Sequence, residues 1–194
     1  MESEIRITSP FPLSAVPRVW TWCQEFRARV ADDFGPKTLA EFVTKWENTP
    51  QRSWAIYRGD ELGGMVSFEQ WTELVGTAHC TFKRSFWGWR TTLPALAQIA
   101  GEIFAGGIHK LVFMVYEDNH AIRSLLKQLG AVQEGLIHEA TKREGKFVSI
   151  VVMGLTQEGS QNGRTVRQQN ADEPDGKPER TDVRDVQPGS IRTQ

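Results

Sequence analysis

Cys23 and Cys80 are the only cysteines in this 194-residue chain. Two are too few for a disulfide framework, so the sequence fits a reducing compartment, and a cytoplasmic location is expected. Long apolar runs are missing as well. Leu111–Val115 and Ile150–Met153 fall far short of the roughly 18–20 residues a bilayer span needs. Met1–Thr8 is charged and has no apolar stretch of the kind that opens a secretory signal. Neither charge sign dominates: Lys+Arg is 23 against Asp+Glu 24, a formal net charge of -1. With no basic surplus to neutralise phosphates, a dedicated nucleic-acid binder is not expected, nor is a membrane partner. Histidine is scarce too. His109, His120 and His138 are too scattered for a ligand set, and Glu139 faces away from its neighbour His138 in a strand, so no metal is expected.

Aromatic residues are plentiful but unevenly placed. Every Trp, Phe and Tyr lies at or before Phe147. The segment 157–194 has none, and its six basic and seven acidic residues nearly cancel. Such a segment cannot bury enough apolar surface to offset its ordering entropy. The expected organisation is one domain over 1–156, large enough to bury a core unaided, followed by a polar, disordered tail over 157–194.

Along the domain, helical and strand patterns alternate. Glu4–Thr8 alternates charged and apolar residues, as a short strand does, and Pro10, Pro12 and Pro17 then break the chain. Val19, Trp22, Cys23, Phe26 and Val30 recur at helical spacing over Arg18–Phe34. Leu39, Phe42, Val43 and Trp46 repeat that spacing over Thr38–Glu47. Ser53–Arg58, Gly64–Trp71 and Thr77–Lys83 read as an antiparallel meander, with Gly59-Asp60 as its first turn. A helix over Thr91–Ala105 stops at Gly106-Gly107, Lys110–Tyr116 is a doubly buried strand, and His120–Leu129 is a helix stopped by Gly130. Gly135–Arg143 and Lys146–Leu155 close the domain as a hairpin. The pattern predicts an α/β (α+β) single domain of order β-α-α-β-β-β-α-β-α-β-β, with a mixed, mostly antiparallel sheet and helices on both faces.

Two strand-to-helix turns stand out chemically. In Phe86-Trp87-Gly88-Trp89-Arg90-Thr91-Thr92 the glycine permits close approach of a ligand, and the first helical N–H groups favour an anion. Pro94 suits the first helical turn, where its missing N–H has no partner to lose. In Glu117-Asp118-Asn119-His120-Ala121, Asp118 or Asn119 can cap the next helix, and the carboxyl end of a buried strand is a common ligand position. The plain alternatives are an ordinary turn with packed tryptophans and a cap with no ligand.

FWGWR, KLVFMVYEDN, NHAIRSLLKQLGAVQEG and EGKFVSIVV follow one another in an order and spacing that resembles the GNAT family of acyl-CoA-dependent N-acetyltransferases. The branch is that of the ribosomal-protein N-terminal acetyltransferases, and the resemblance covers Ile5 to Leu155. It implies acetyl-CoA as co-substrate. Backbone N–H groups around Trp87, Gly88, Trp89, Arg90 and Thr91 would hold its pyrophosphate, and the strand edge at Phe82 and Lys83 would pair with its pantetheine arm. Asn119 and the following helix, with Arg123, would border its distal part. The amine would approach from the side of the two N-terminal helices: a small amine, a protein lysine or a peptide N-terminus. Several positions depart from the family. Arg90 stands at the second loop glycine, Ser85 at the leading Gln or Arg, Ile122 at a frequent serine, Ala131 at an aromatic and Ser149 at a common aspartate. Leu125 and Leu126 leave the usual helical tyrosine without a counterpart.

For acid–base work the candidates are His79 and Glu69 as base and Tyr116 as acid. A lone strand histidine is also a common structural residue. Cys80 needs an activating neighbour to act as a nucleophile, and strand alternation turns it away from His79. Trp20 and Trp22 cannot both face inward from one helix, so one of them lines a groove or an interface. The leading reading is an N-acetyltransferase. The alternative is a catalytically degenerate domain of the same fold, a binding or assembly protein that resembles bacteriophage-encoded relatives, as a virion component or with a homodimer partner. A CoA or nucleotide sensor is a third.

Overall fold

The computed structural model describes residues 4–26, 32–48, 52–88 and 90–162. Seven strands form one sheet: β1 (Ile5–Thr8), β2 (Arg52–Arg58), β3 (Glu61–Gln70), β4 (Val75–Phe82), β5 (Lys110–Tyr116), β6 (Val132–Arg143) and β7 (Lys146–Thr156). Their spatial order is β1-β2-β3-β4-β5-β7-β6, and every neighbouring pair is antiparallel except β4 with β5. The α-helices of the described residues include α1 (Val16–Glu25), α2 (Leu39–Asn48), α3 (Thr92–Ala105) and α4 (His120–Leu129).

Alternation along the strands divides the core between the two faces. Trp54, Ile56, Val66, Phe68, Phe82, Leu111 and Val115 pack with α3 and α4 in one apolar cluster. Ala55, Leu62 and Met65 point the other way and pack with Val16, Val19 and Trp22 of α1, while Phe42, Val43 and Trp46 of α2 lie against them. The Trp54 indole donates to Glu102 Oε2 at 2.8 Å, which ties β2 to α3. Helices therefore cover both faces of the sheet, as the sequence pattern predicts.

The structure alters several local readings. Pro17 does not break the chain: it lies in the first turn of α1, where proline is at home. That helix ends at Glu25 rather than continuing to Phe34, and residues 32–35 form a turn, while 27–31 lie outside the described residues. Trp22 is buried, and Trp20 packs on Phe42 at 5.4 Å, joining α1 to α2. Chain expected to belong to the tail begins differently. Residues 157–162 are helical, Ser160 is buried, and Gly159 lies directly against Gly130. The expectation of disorder beyond them falls on 163–194, outside the described residues.

Candidate active site

A split in the sheet places the site. The parallel strands β4 and β5 pair only at Val75↔Lys110, Gly76↔Leu111 and Thr77↔Val112. Ala78–Phe82 and Phe113–Tyr116 then run on without pairing to each other, while β5 stays paired with β7 along its whole length, from Lys110↔Thr156 to Tyr116↔Ile150. Beneath the split, between the sheet and helices α3 and α4, lies a small apolar cavity of about 20 Å³ bounded by Ala78, Cys80, Phe113, Ile99, Ile103 and Leu126, among others.

Peptide geometry shows which backbone groups face the gap. The Lys83 N–H donates to Gly63 O of β3 at 2.8 Å. In a trans peptide the preceding carbonyl points the opposite way, so the Phe82 C=O faces the gap. Cys80, two residues earlier, presents its N–H and C=O on the same side. Lys83 itself is not part of the free edge, contrary to the sequence expectation. Its N–H is taken by Gly63, its C=O accepts from Phe86 N at 2.9 Å, and its ammonium pairs with Glu61 at 2.6 Å.

The predicted acid–base candidates lie on one face. Ala78, Cys80 and Phe82 pack toward α3 and α4, so His79 points to the α1/α2 side. Glu69 shares that face and is paired across the ladder with Thr77, one step diagonally from His79, whose own partner is Ser67. Leu111, Phe113 and Val115 pack toward α3 and α4, so Tyr116 also points to the α1/α2 side, from the opposite lip of the split. The structure thus brings His79, Glu69 and Tyr116 to one face.

Their surroundings push the two titrating groups in opposite directions. Burial lowers the pKa of His79, a nearby Glu69 works against that, and Lys45 adds to it. Burial raises the pKa of Tyr116, with Asp32 and Asp118 adding to it and Arg143 opposing. At neutral pH His79 is therefore a neutral base and Tyr116 a protonated acid. Cys80, on the other side of the sheet, has its thiol pushed up to about 11 by burial, which removes it as a nucleophile.

At the first turn, the loop after β4 is closed largely by its own carbonyls. The Trp87 N–H donates to Arg84 O at 3.1 Å, and the Thr91 and Thr92 N–H groups donate to Gly88 O at 3.3 and 2.9 Å. The Trp87 and Thr91 amides expected to meet a pyrophosphate are already bonded within the loop. Gly88 has φ +126, a left-handed conformation that glycine adopts without strain. Arg90 is exposed, and Trp89 lies outside the described residues.

At the second turn, Asn119 Oδ1 accepts from Ile122 N at 3.3 Å and caps α4. Arg123 donates to Glu117 O at 2.9 Å and lies 3.4 Å from Gln133 Oε1, so it braces the turn. Asp118 is ion-paired with Arg143 of β6, whose guanidinium lies 5.2 Å from the centre of the Tyr116 ring. Sequence reasoning missed Arg143 and Asp32. Asp32 Oδ2 accepts from Thr141 Oγ1 at 2.9 Å, and the Asp33 carboxylate accepts from the Glu144 and Gly145 N–H groups at 3.0 and 2.9 Å. These contacts join segments more than a hundred residues apart, so no local pattern announces them. Among the described residues no cluster of His, Cys, Asp or Glu is arranged to hold a metal ion.

The fold has counterparts among solved structures. The spermidine N-acetyltransferase SpeG from Vibrio cholerae, in complex with CoA and spermine, is 13% identical with a TM-score of 0.69, covering 81% of this chain and 98% of that one. A SpeG chimera of the Vibrio cholerae and hSSAT sequences reaches a TM-score of 0.71 at 14% identity, over 82% of this chain and 99% of that one. Mycobacterium smegmatis RimJ, in complex with CoA-disulfide, is 16% identical with a TM-score of 0.67, over 84% of this chain and 89% of that one. At these identities the likeness establishes the fold: this chain has the α/β architecture of the GNAT acetyltransferases. No protein-family model and no curated protein matches the sequence.

Proposed function

We propose that the chain is an acetyl-CoA-dependent N-acetyltransferase acting on a primary amine in the cytoplasm. The observation that carries this reading is the open inner edge of β4 flanked by His79 and Tyr116. An unpaired strand edge inside a sheet is costly unless something pairs with it. The edge at Cys80 and Phe82 offers backbone N–H and C=O groups to an extended arm bearing secondary amides, as the pantetheine of acetyl-CoA does. That co-substrate supplies an activated thioester. The chain's own groups then do the proton work. His79, neutral at pH 7, takes a proton from the incoming ammonium, directly or through a water beside Glu69. Tyr116, on the opposite lip, gives its proton to the departing sulfur.

For the acceptor, Glu69 and Asp32 place carboxylates on the α1/α2 face. They favour a cationic amine, and we take a small amine as the acceptor. The SpeG structure with spermine supports that choice, since the two chains share the fold.

The test is release of free thiol from acetyl-CoA with a panel of di- and polyamines. Turnover with at least one is expected, and Tyr116→Phe should lower kcat about 100-fold with little change in KM, the lower range for a lost general acid. Wild-type turnover that survives Tyr116→Phe unchanged removes Tyr116 as the acid. Acetyl-CoA binding without turnover on any amine overturns the acetyltransferase reading.

A further inference from the structure

The free edge of β4 is not wholly free. The Trp87 indole Nε1 donates to Phe82 O at 2.9 Å. That carbonyl is the one the peptide geometry turns into the gap. Trp87 is 46% exposed, so its ring is not fixed by burial in the core. Its other ring contact is Phe26, at 4.5 Å, where the chain leaves α1. Beside it, Gly88 has φ +126, and a Cβ there would meet nothing within 4 Å, so the loop has room to turn.

We infer that Trp87 is an internal gate of the cofactor edge: its indole N–H occupies the carbonyl that an amide N–H of the incoming arm must use, and binding exchanges one donor for the other. The inference rests on the acetyl-CoA reading above. An unpaired carbonyl inside the sheet is unfavourable, and the indole satisfies it. A ligand amide gains that bond only by breaking the existing one, so the net gain is small, and the edge is protected from other strands. The same ring rests on Phe26, at the end of a helix that covers the opposite face of the sheet. The arm's entry is thereby linked to the α1/α2 side, where the amine arrives.

Trp87→Phe removes the donor and keeps a ring against Phe26. Calorimetric titration with acetyl-CoA should show a Kd about fivefold lower than wild type, equivalent to about 1 kcal/mol for the hydrogen bond no longer broken. The second measurement uses the wild-type protein. The Trp87 indole N–H resonance, assigned by its absence from the Trp87→Phe spectrum, should shift upfield as acetyl-CoA saturates and the bond to Phe82 is lost. Equal affinity in the two proteins, or weaker binding by the variant, overturns the gate while leaving the cofactor reading intact. An indole resonance unmoved at saturation does the same. No binding by either protein at millimolar acetyl-CoA overturns the cofactor reading, and the gate with it.

Discussion

The units β4–α3 and β5–α4 flank the split, each a strand, a turn and a helix, the turn spanning 83–91 in the first and 117–119 in the second. They close that turn by different means. Before α4 the work is done by side chains: Asn119 caps the helix, Arg123 holds the Glu117 carbonyl, and Asp118 is clamped to Arg143. Before α3 no side chain caps the helix, Thr91 included, and the turn is closed by its own carbonyls and the Trp87 indole. In the turn after β4 the Trp87, Thr91 and Thr92 N–H groups are held by the turn's own carbonyls, whereas the turn after β5 is a brace tied to β6 through Arg143.

The brace can be broken at its far end. Gly130 has φ +102 after α4, and a Cβ there would run into the backbone of Gly159. Gly130→Ala combines left-handed strain with a backbone clash and is expected to cost about 3 kcal/mol, or roughly 6–12 °C in Tm. Denaturant titration measures it. A loss below about 1 kcal/mol would mean that residues 157–162 yield easily and are no part of the brace.

A smaller effect sharpens the contrast between the turns themselves. Asn119→Ala should cost about 1 kcal/mol through the lost cap. Thr91→Ala removes no cap bond and should stay within about 0.5 kcal/mol. Equal losses in thermal melts would show that the two helix starts are equivalent.

Much of this architecture is legible in the sequence, because the signals are local. The strand of Lys110–Tyr116, the helix of His120–Leu129 and its stop at Gly130 lie where the apolar runs and glycines put them. The opposite orientations of Phe68 and Glu69, and of His79 and Cys80, follow from alternation alone. What the sequence hides is set by partners distant along the chain. Lys83 looks like part of a free edge until Gly63 is found bonded to it. Arg143, Asp32 and Asp118 gather around Tyr116 only after the β6–β7 hairpin and the turn at residue 32 have met. Residues 157–162 read as tail because their composition is polar, but Gly159 fits against Gly130, a contact of backbone rather than of apolar side chains.

The smallest expected effect concerns His79 and Tyr116, which share one face of the sheet on either side of the split. Burial is the leading cause of both shifts, and it lowers His79 while raising Tyr116. In each case the charged form is the one disfavoured in the folded chain. For His79 the unfolded chain binds the proton more readily, so stability falls as pH drops below about 6.5, and the loss is complete below the folded value. For Tyr116 the unfolded chain releases its proton first, so stability falls as pH rises above about 10. Denaturation midpoints from pH 5 to 8 should therefore decline less on the acid side in His79→Gln than in the wild type, and those from pH 9 to 11 should decline less on the alkaline side in Tyr116→Phe. An acid limb left unchanged by His79→Gln would show that its imidazole is as well solvated folded as unfolded. Between the two limits a neutral imidazole and an un-ionised phenol coexist, one able to take a proton and the other to give one. That is the pair of states an amine attacking a thioester requires at neutral pH.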